Sequence, residues 1–164
     1  MTMGAPKFAV DPQTLVGMEL PQQRAFVEPR RLKFFLDTIG EKDPVYLDPA
    51  AARAAGFRDI PIPPTYMFCL QSLDNPGPNR ILELLGVDIG RILHGEQKFI
   101  YHKAACIGDE LVFQARIGSI VDKKGGALTM VAQDIRVENG RGEHIADITN
   151  TLVIRNPQDE KGAA

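Results

Sequence analysis

Apolar residues return at helical spacing through the first half of the chain and alternate with polar ones through the second. Leu32, Phe35, Leu36 and Ile39 fall at i, i+3, i+4 and i+7, one face of a helix. Glu28 supplies an acid for its first turn and Pro29 takes the first helical position, where a missing N–H costs nothing. Gly40 stops the helix. A short strand is predicted just before it, over residues 24–27. Residues 49–55 read as a second, Ala-rich helix closed by Gly56. A third starts near Pro64-Thr65 and carries Met67, Phe68, Cys69, Leu70 and Leu73. It is apolar nearly all round, the pattern of a helix enclosed by a sheet. Asn75-Pro76-Gly77-Pro78 breaks it, and residues 81–85 form a short helix before Gly86.

From residue 91 the period drops to two. Segments 91–103, 110–122, 127–138 and 144–155 alternate like strands, separated by turn signals at Gly108-Asp109, Lys124-Gly125-Gly126 and Asn139-Gly140. Leu111, Phe113, Ala115 and Ile117 mark one face of the second strand; Ala146, Ile148, Leu152 and Ile154 mark one face of the last. Asn139-Gly140 predicts a hairpin between the last two strands. One apolar helix followed by an antiparallel meander predicts an α+β fold, a single hot-dog domain whose sheet wraps around the central helix. The domain is expected over residues 15–155, with a flexible lead-in at 1–14 and a flexible charged tail at 156–164.

Composition narrows the function classes. At 164 residues there is room for one domain with a real core and little more. A net charge of −2 sets up no field for nucleic acid or anionic lipid, so neither is expected as a partner. No apolar run approaches the ~18 residues of a membrane span, and no secretory signal precedes the domain. Cys69 and Cys106 have apolar neighbours and no CxxC or Cys/His spacing; free thiols in a reducing cytoplasm are the expected state. His94, His102 and His144 show no HxxxH or HExxH pattern, so no metal is expected. His94 and His102 differ by an even number, which puts both on one face of a regular strand unless a bulge intervenes. There is no GxGxxG or Walker element, so no nucleotide cofactor is expected. Arg30, Arg31 and Lys33 give the first helix a basic face, either simply solvated or suited to phosphates and acidic carrier surfaces.

The segment Gly40-Glu41-Lys42-Asp43-Pro44-Val45-Tyr46-Leu47-Asp48-Pro49, then Gly56-Phe57 and Pro63-Pro64-Thr65, resembles the catalytic loop of MaoC-like dehydratases and R-specific enoyl-thioester hydratases. Active members of that family read Gly-Asp-x-Asn-Pro-apolar-His, and the Asp and His handle the water added to an enoyl thioester. Here Glu41 stands for the Asp, Asp43 for the Asn and Tyr46 for the His. His94-Gly95-Glu96-Gln97-x-Phe99-x-Tyr101-His102-Lys103 and Gly108-Asp109-Glu110-Leu111 are similar to the N-terminal, acyl-binding branch of the superfamily. That branch includes the non-catalytic halves of two-domain hydratases and the partner subunits of heterodimeric fatty-acid dehydratases. The resemblance covers roughly residues 10–155.

What the resemblance implies is a hydro-lyase subunit that binds the acyl chain of an acyl-coenzyme A or acyl-carrier-protein thioester. A partner hot-dog, a second copy or a different chain, would supply the Asp/His dyad. Glu41 and Tyr46 are the degenerate catalytic positions; Asp43, Pro64, Thr65, Tyr66, His94 and Gln97 are the expected substrate-binding positions. A phenol titrates near ~10, so Tyr46 is a poor base but a usable hydrogen-bond donor. Relatives bind the thioester carbonyl with N–H groups at the start of the central helix. Pro63 and Pro64 have none, which leaves Thr65 and Tyr66. The plainer alternative makes Glu41 a solvated loop acid, packs Tyr46 on a helix, and leaves Pro63-Pro64 as a helix start. Two other functions stay open: a self-sufficient hydratase or thioesterase using Glu41 and Tyr46, and a non-enzymatic acyl-thioester binding protein.

Overall fold

The computed structural model describes residues 7–75 and 79–157. A 3-10 turn at Pro12–Leu15 comes first, then strand β1, Gln23–Phe26, and helix α1, Pro29–Ile39. The Glu28 carboxylate caps α1 by accepting the Arg31 N–H at 2.9 Å, and Gly40 ends it at φ 71°, a conformation open to glycine. Leu32 and Leu36 are buried and Phe35 half-buried, as the periodicity predicts, but Ile39 is exposed. It sits on the last turn, past the part of α1 that the core covers. Short helices α2, Pro49–Ala54, α3, Tyr66–Leu73, and α4, Arg80–Leu85, complete the helical half. The expected break at Asn75-Pro76-Gly77-Pro78 lies largely outside the described residues, as do positions 158–164 of the expected tail and 1–6 of the lead-in.

Strands β2, Ile92–Tyr101, β3, Glu110–Lys123, β4, Leu128–Asn139, and β5, His144–Arg155, join β1 in one antiparallel sheet of order β1-β3-β4-β5-β2. The β4–β5 hairpin forms, although not through a two-residue Asn-Gly turn. Four residues, 140–143, connect the strands, and Gly142 rather than Gly140 takes positive φ. Asn139 organises the turn: its Oδ1 accepts the N–H groups of Arg141 and Glu143, and its Nδ2 donates to the Glu143 carboxylate at 2.6 Å. With Lys103 and Arg141 also donating, the Glu143 carboxyl is held down at about 2.

The concave face of the sheet carries the core. Tyr66, Met67 and Leu70 of α3 pack on Ala25, Leu111, Phe113, Ile135, Ala146 and Ile148. Fully burying a side chain such as Leu70 contributes roughly 1.5–3 kcal/mol. A second cluster sets α4 through Ile81, Leu82 and Leu85 against Ile117, Ile120, Val131 and Ile154. Leu15 joins that cluster and Ala9 N–H donates to Leu85 O, so part of the N-terminal stretch lies against α4. At the other end of the chain, the Asn156 amide donates to Gly126 O and Thr129 Oγ1.

The sheet covers α3 on one side only. Phe68 and Cys69 are half-buried and Leu73 is exposed, so the all-round apolar pattern does not mean all-round enclosure within this chain. Three bulges also interrupt the alternation, between His94 and Glu96, Ile117 and Ser119, and Val137 and Glu138. Each turns subsequent side chains to the opposite face. At the first, a Cβ on Gly95 would meet a Val153 methyl at 2.7 Å, which explains the glycine. Among the described residues no helix is long and apolar enough to cross a membrane.

Candidate functional site

The loop joining α1 to α2 spends its carboxylates on its own backbone. Glu41 Oε1 accepts the N–H groups of Lys42 at 2.8 Å and Asp43 at 2.9 Å. Asp43 caps the 3-10 turn Pro44–Tyr46 through the Val45 N–H, and Asp48 caps α2 through the Ala50 N–H. Sequence explains each of these, because Asp before Pro is a strong start for a tight turn. Tyr46 packs against the main core. Burial pushes its phenol above the usual tyrosine range, and the charges of Glu41 and Asp43 push it further. A general base needs the opposite shift.

Tyr46 shares a pocket of about 320 Å³ with Pro63, Pro64, Met67 and Tyr101. Glu41 and Asp43 do not line it. At its floor α3 begins, and here Tyr101 enters from β2: the Thr65 N–H donates to the Tyr101 hydroxyl at 3.1 Å. The Tyr66 N–H is taken by Pro63 O at 3.2 Å. Both amides expected to receive a carbonyl therefore already have partners. Thr65 holds φ at 71°, a left-handed conformation that costs a β-branched residue on the order of 1–3 kcal/mol. Tyr101 belongs to the motif that begins at His94, but the motif gave it no role at the helix start; its placement depends on the bulge at Gly95.

On the other flank of α3 lies a larger groove, about 720 Å³, between α1 and α3. Its walls are Phe34 and Phe35 from α1 and Tyr66, Phe68, Cys69 and Leu73 from α3. Phe34 is 74% exposed and Leu73 54%, both large apolar side chains facing the open groove. Phe35 stacks at a tilt on Tyr66 with ring centroids 4.7 Å apart. The Tyr66 hydroxyl is buried without a hydrogen-bond partner among the described residues, and burial raises its phenol and the Cys69 thiol above their ordinary ranges. Arg31 ties the two helices together through an ion pair with Asp74, whose other oxygen accepts the Phe26 N–H. Lys33 pairs with Asp37 on its own helix, so two of the three basic residues read on α1 already have acidic partners.

The two remaining sequence motifs hold backbone geometry. His94 packs edge-on against Phe68 of α3, centroids 5.4 Å apart, and Gln97 lies opposite Asn150 on β5. The bulge at Gly95 cancels the even spacing, so His94 and His102 face opposite sides. In Gly108-Asp109, the buried Asp109 carboxylate accepts the Cys106 N–H and meets Arg58 at 2.7 Å, while Gly108 and Asp109 bond to Val27 across β1. His102 and His144 both bond the Asp147 carboxylate, at 2.8 and 2.9 Å. Spacing gave no hint of that group: His144 and Asp147 share a face only because of the third bulge.

A five-stranded antiparallel sheet packed on a short central helix is a hot-dog fold. The profile described as FAS1-like, dehydratase domain region, matches residues 14–148, and the chain belongs to that family. A UPF0336 protein of Clavibacter michiganensis subsp. michiganensis is 34% identical over 152 residues, covering 89% of this chain and 96% of the relative. Two solved structures share the fold. The ChsH1-ChsH2 complex of Mycobacterium tuberculosis contains a chain 24% identical with a TM-score of 0.71, covering 85% of this chain and 89% of that one. The HadBC 3R-hydroxyacyl-ACP dehydratase complex of the same organism contains one 23% identical with a TM-score of 0.70, covering 85% and 96%.

Proposed function

We propose that this chain is the acyl-binding subunit of an R-specific enoyl-thioester hydratase or 3-hydroxyacyl-thioester dehydratase, and that a partner hot-dog supplies the Asp/His dyad. The observation that carries the reading is the contrast between the two flanks of α3. One has a groove of about 720 Å³ whose walls are mostly apolar, with Arg30 and Arg31 among the polar groups that line it. The other has a loop whose usual catalytic positions are engaged in local structure. Glu41 is turned onto backbone amides, the Tyr46 phenol is pushed further from neutral pH, and the start of α3 is occupied by proline and by Tyr101.

Asp43, Pro64, Thr65 and Tyr66 then shape the junction rather than react, and His94 and Gln97 belong to the strand that meets the partner. That strand, β2, is an edge of the sheet over ten residues. Long unpaired edges favour strand pairing with another chain. Two proteins of like fold are themselves complexes, ChsH1 with ChsH2 and HadBC, which supports a hot-dog partner here.

Hydration of crotonyl-coenzyme A, followed by loss of enoyl absorbance, tests the assignment. The purified chain is expected to show no turnover, with Glu41→Gln and Tyr46→Phe indistinguishable from it, while still binding acyl thioester. Turnover that either substitution abolishes would mean the altered loop catalyses, and would sink the reading. Binding with no turnover beside any hot-dog carrying an intact Gly-Asp-x-Asn-Pro-x-His loop would instead select a plain binding protein.

A further inference from the structure

His102, which also lines the small pocket beside Tyr46, gathers with His144 and Asp147, which do not, into a group of metal-binding side chains on the outer face of the sheet. We infer that they form a site for one divalent transition-metal ion of the zinc class. Asp147 stands between the core residues Ala146 and Ile148, so its side chain leaves the opposite face. The bulge beside Val137 brings His144 to that face, and His102 arrives just past the end of β2. Its backbone is fixed by the bond from His102 N–H to Ile145 O at 2.9 Å.

The geometry is already close to a coordination shell. The two imidazole rings lie side by side, with centroids 4.2 Å apart and 36° between planes. Both Nε2 atoms point at one carboxylate, His102 to Oδ2 at 2.8 Å and His144 to Oδ1 at 2.9 Å. One ligand atom from each residue lies within 4.8 Å of the other two. Around zinc, with bonds of ~2.0–2.1 Å, neighbouring ligand atoms are roughly 3.0–3.4 Å apart. Small side-chain rotations therefore admit an ion. Two imidazole nitrogens and one carboxylate suit zinc, cobalt or nickel, whereas magnesium and calcium take oxygen shells. Three protein ligands leave open positions for water or for a group from a second molecule. All three side chains are partly exposed, so solvent ions reach them.

Arg136 opposes the ion. Its Nη1 is 3.4 Å from His144 Nδ1, and its Nε donates to Glu138 at 2.7 Å. When Nε2 takes a cation, the ring proton sits on Nδ1 and faces a guanidinium donor. Arg136 must then turn fully onto Glu138. Replacing it with glutamine removes the positive charge and offers Nδ1–H an acceptor, as second-shell partners of metal-bound histidines do.

The test is a titration of Zn²⁺ into the tag-free full chain against a chromophoric indicator. One ion per chain is expected, with a Kd of about 10 μM or lower. His102→Ala and His144→Ala should each weaken binding by about 100-fold or more, and the shape-preserving Asp147→Asn by at least ~10-fold. Arg136→Gln should tighten it by about threefold. Co²⁺ in the site should give the visible bands of a nitrogen and oxygen shell, without thiolate charge transfer from Cys69 or Cys106. The assignment is overturned by absence of saturable binding up to about 1 mM, by binding that survives loss of both histidines, or by a thiolate spectrum.

Discussion

Affinity for saturated acyl-coenzyme A thioesters is expected to climb about fourfold with each methylene added beyond four carbons, until the groove between α1 and α3 is full. The slope follows from ~0.8 kcal/mol per buried methylene. Lengthening the chain by four carbons thus adds ~3 kcal/mol, about 200-fold in Kd. Calorimetric titration with butyryl, hexanoyl and octanoyl thioesters measures it. Phe34→Asp sharpens the test. Phe34 is already exposed, so its loss leaves the core intact, yet it removes a groove wall and puts a carboxylate beside the ligand. Octanoyl binding should weaken by about 100-fold and butyryl binding by no more than ~3-fold. A flat dependence on chain length would show that the groove does not hold the acyl group.

Proline at two adjacent positions of β2 is expected to separate assembly from folding. The His102 N–H points at β5, where it meets Ile145 O. By strand alternation the N–H groups of Ile100 and Lys98 also face β5, and those of Gln97, Phe99 and Tyr101 face the open edge. Gln97→Pro removes only an outward donor, which edge strands tolerate. Lys98→Pro removes a ladder donor and leaves a β5 carbonyl unpaired, at a cost of ~1–3 kcal/mol. Sedimentation of the chain should show a dimer that Gln97→Pro weakens by at least ~10-fold while its melting curve holds. Lys98→Pro should melt early. If both variants keep the dimer, the chains meet somewhere other than this edge.

Local chemistry made most of the fold legible. Glu28, Pro29 and Gly40 bound α1 because capping and glycine conformation act within a few residues. The strands from Glu110 onward show their alternation because one face of each lies on the core. What escaped were features set by one extra residue or by a distant partner. The bulges at Gly95 and beside Val137 reverse the side-chain alternation without changing the apolar pattern enough to announce it. Tyr101 at the Thr65 N–H and His102 beside His144 are both products of those reversals. The Asn139 side chain shows the same limit at a turn: Asn-Gly signalled a hairpin, but the amide's bonds to Arg141 and Glu143 chose a longer connection. Glu41, Asp43 and Tyr46 were identified as a loop of altered chemistry, yet only their bonds revealed that the acids serve the loop's own backbone.

The half-covered central helix has a consequence for how long the chain survives in a cell. Phe68, Cys69 and Leu73 line the groove, so whatever binds there covers apolar surface of the central helix. An occupant present at a hundred times its Kd adds ~2.7 kcal/mol to the folded state and cuts the unfolded fraction about a hundredfold. Proteases act on that fraction. If the proposed acyl thioester fills the groove, its supply would set how much of the protein persists without any change in synthesis.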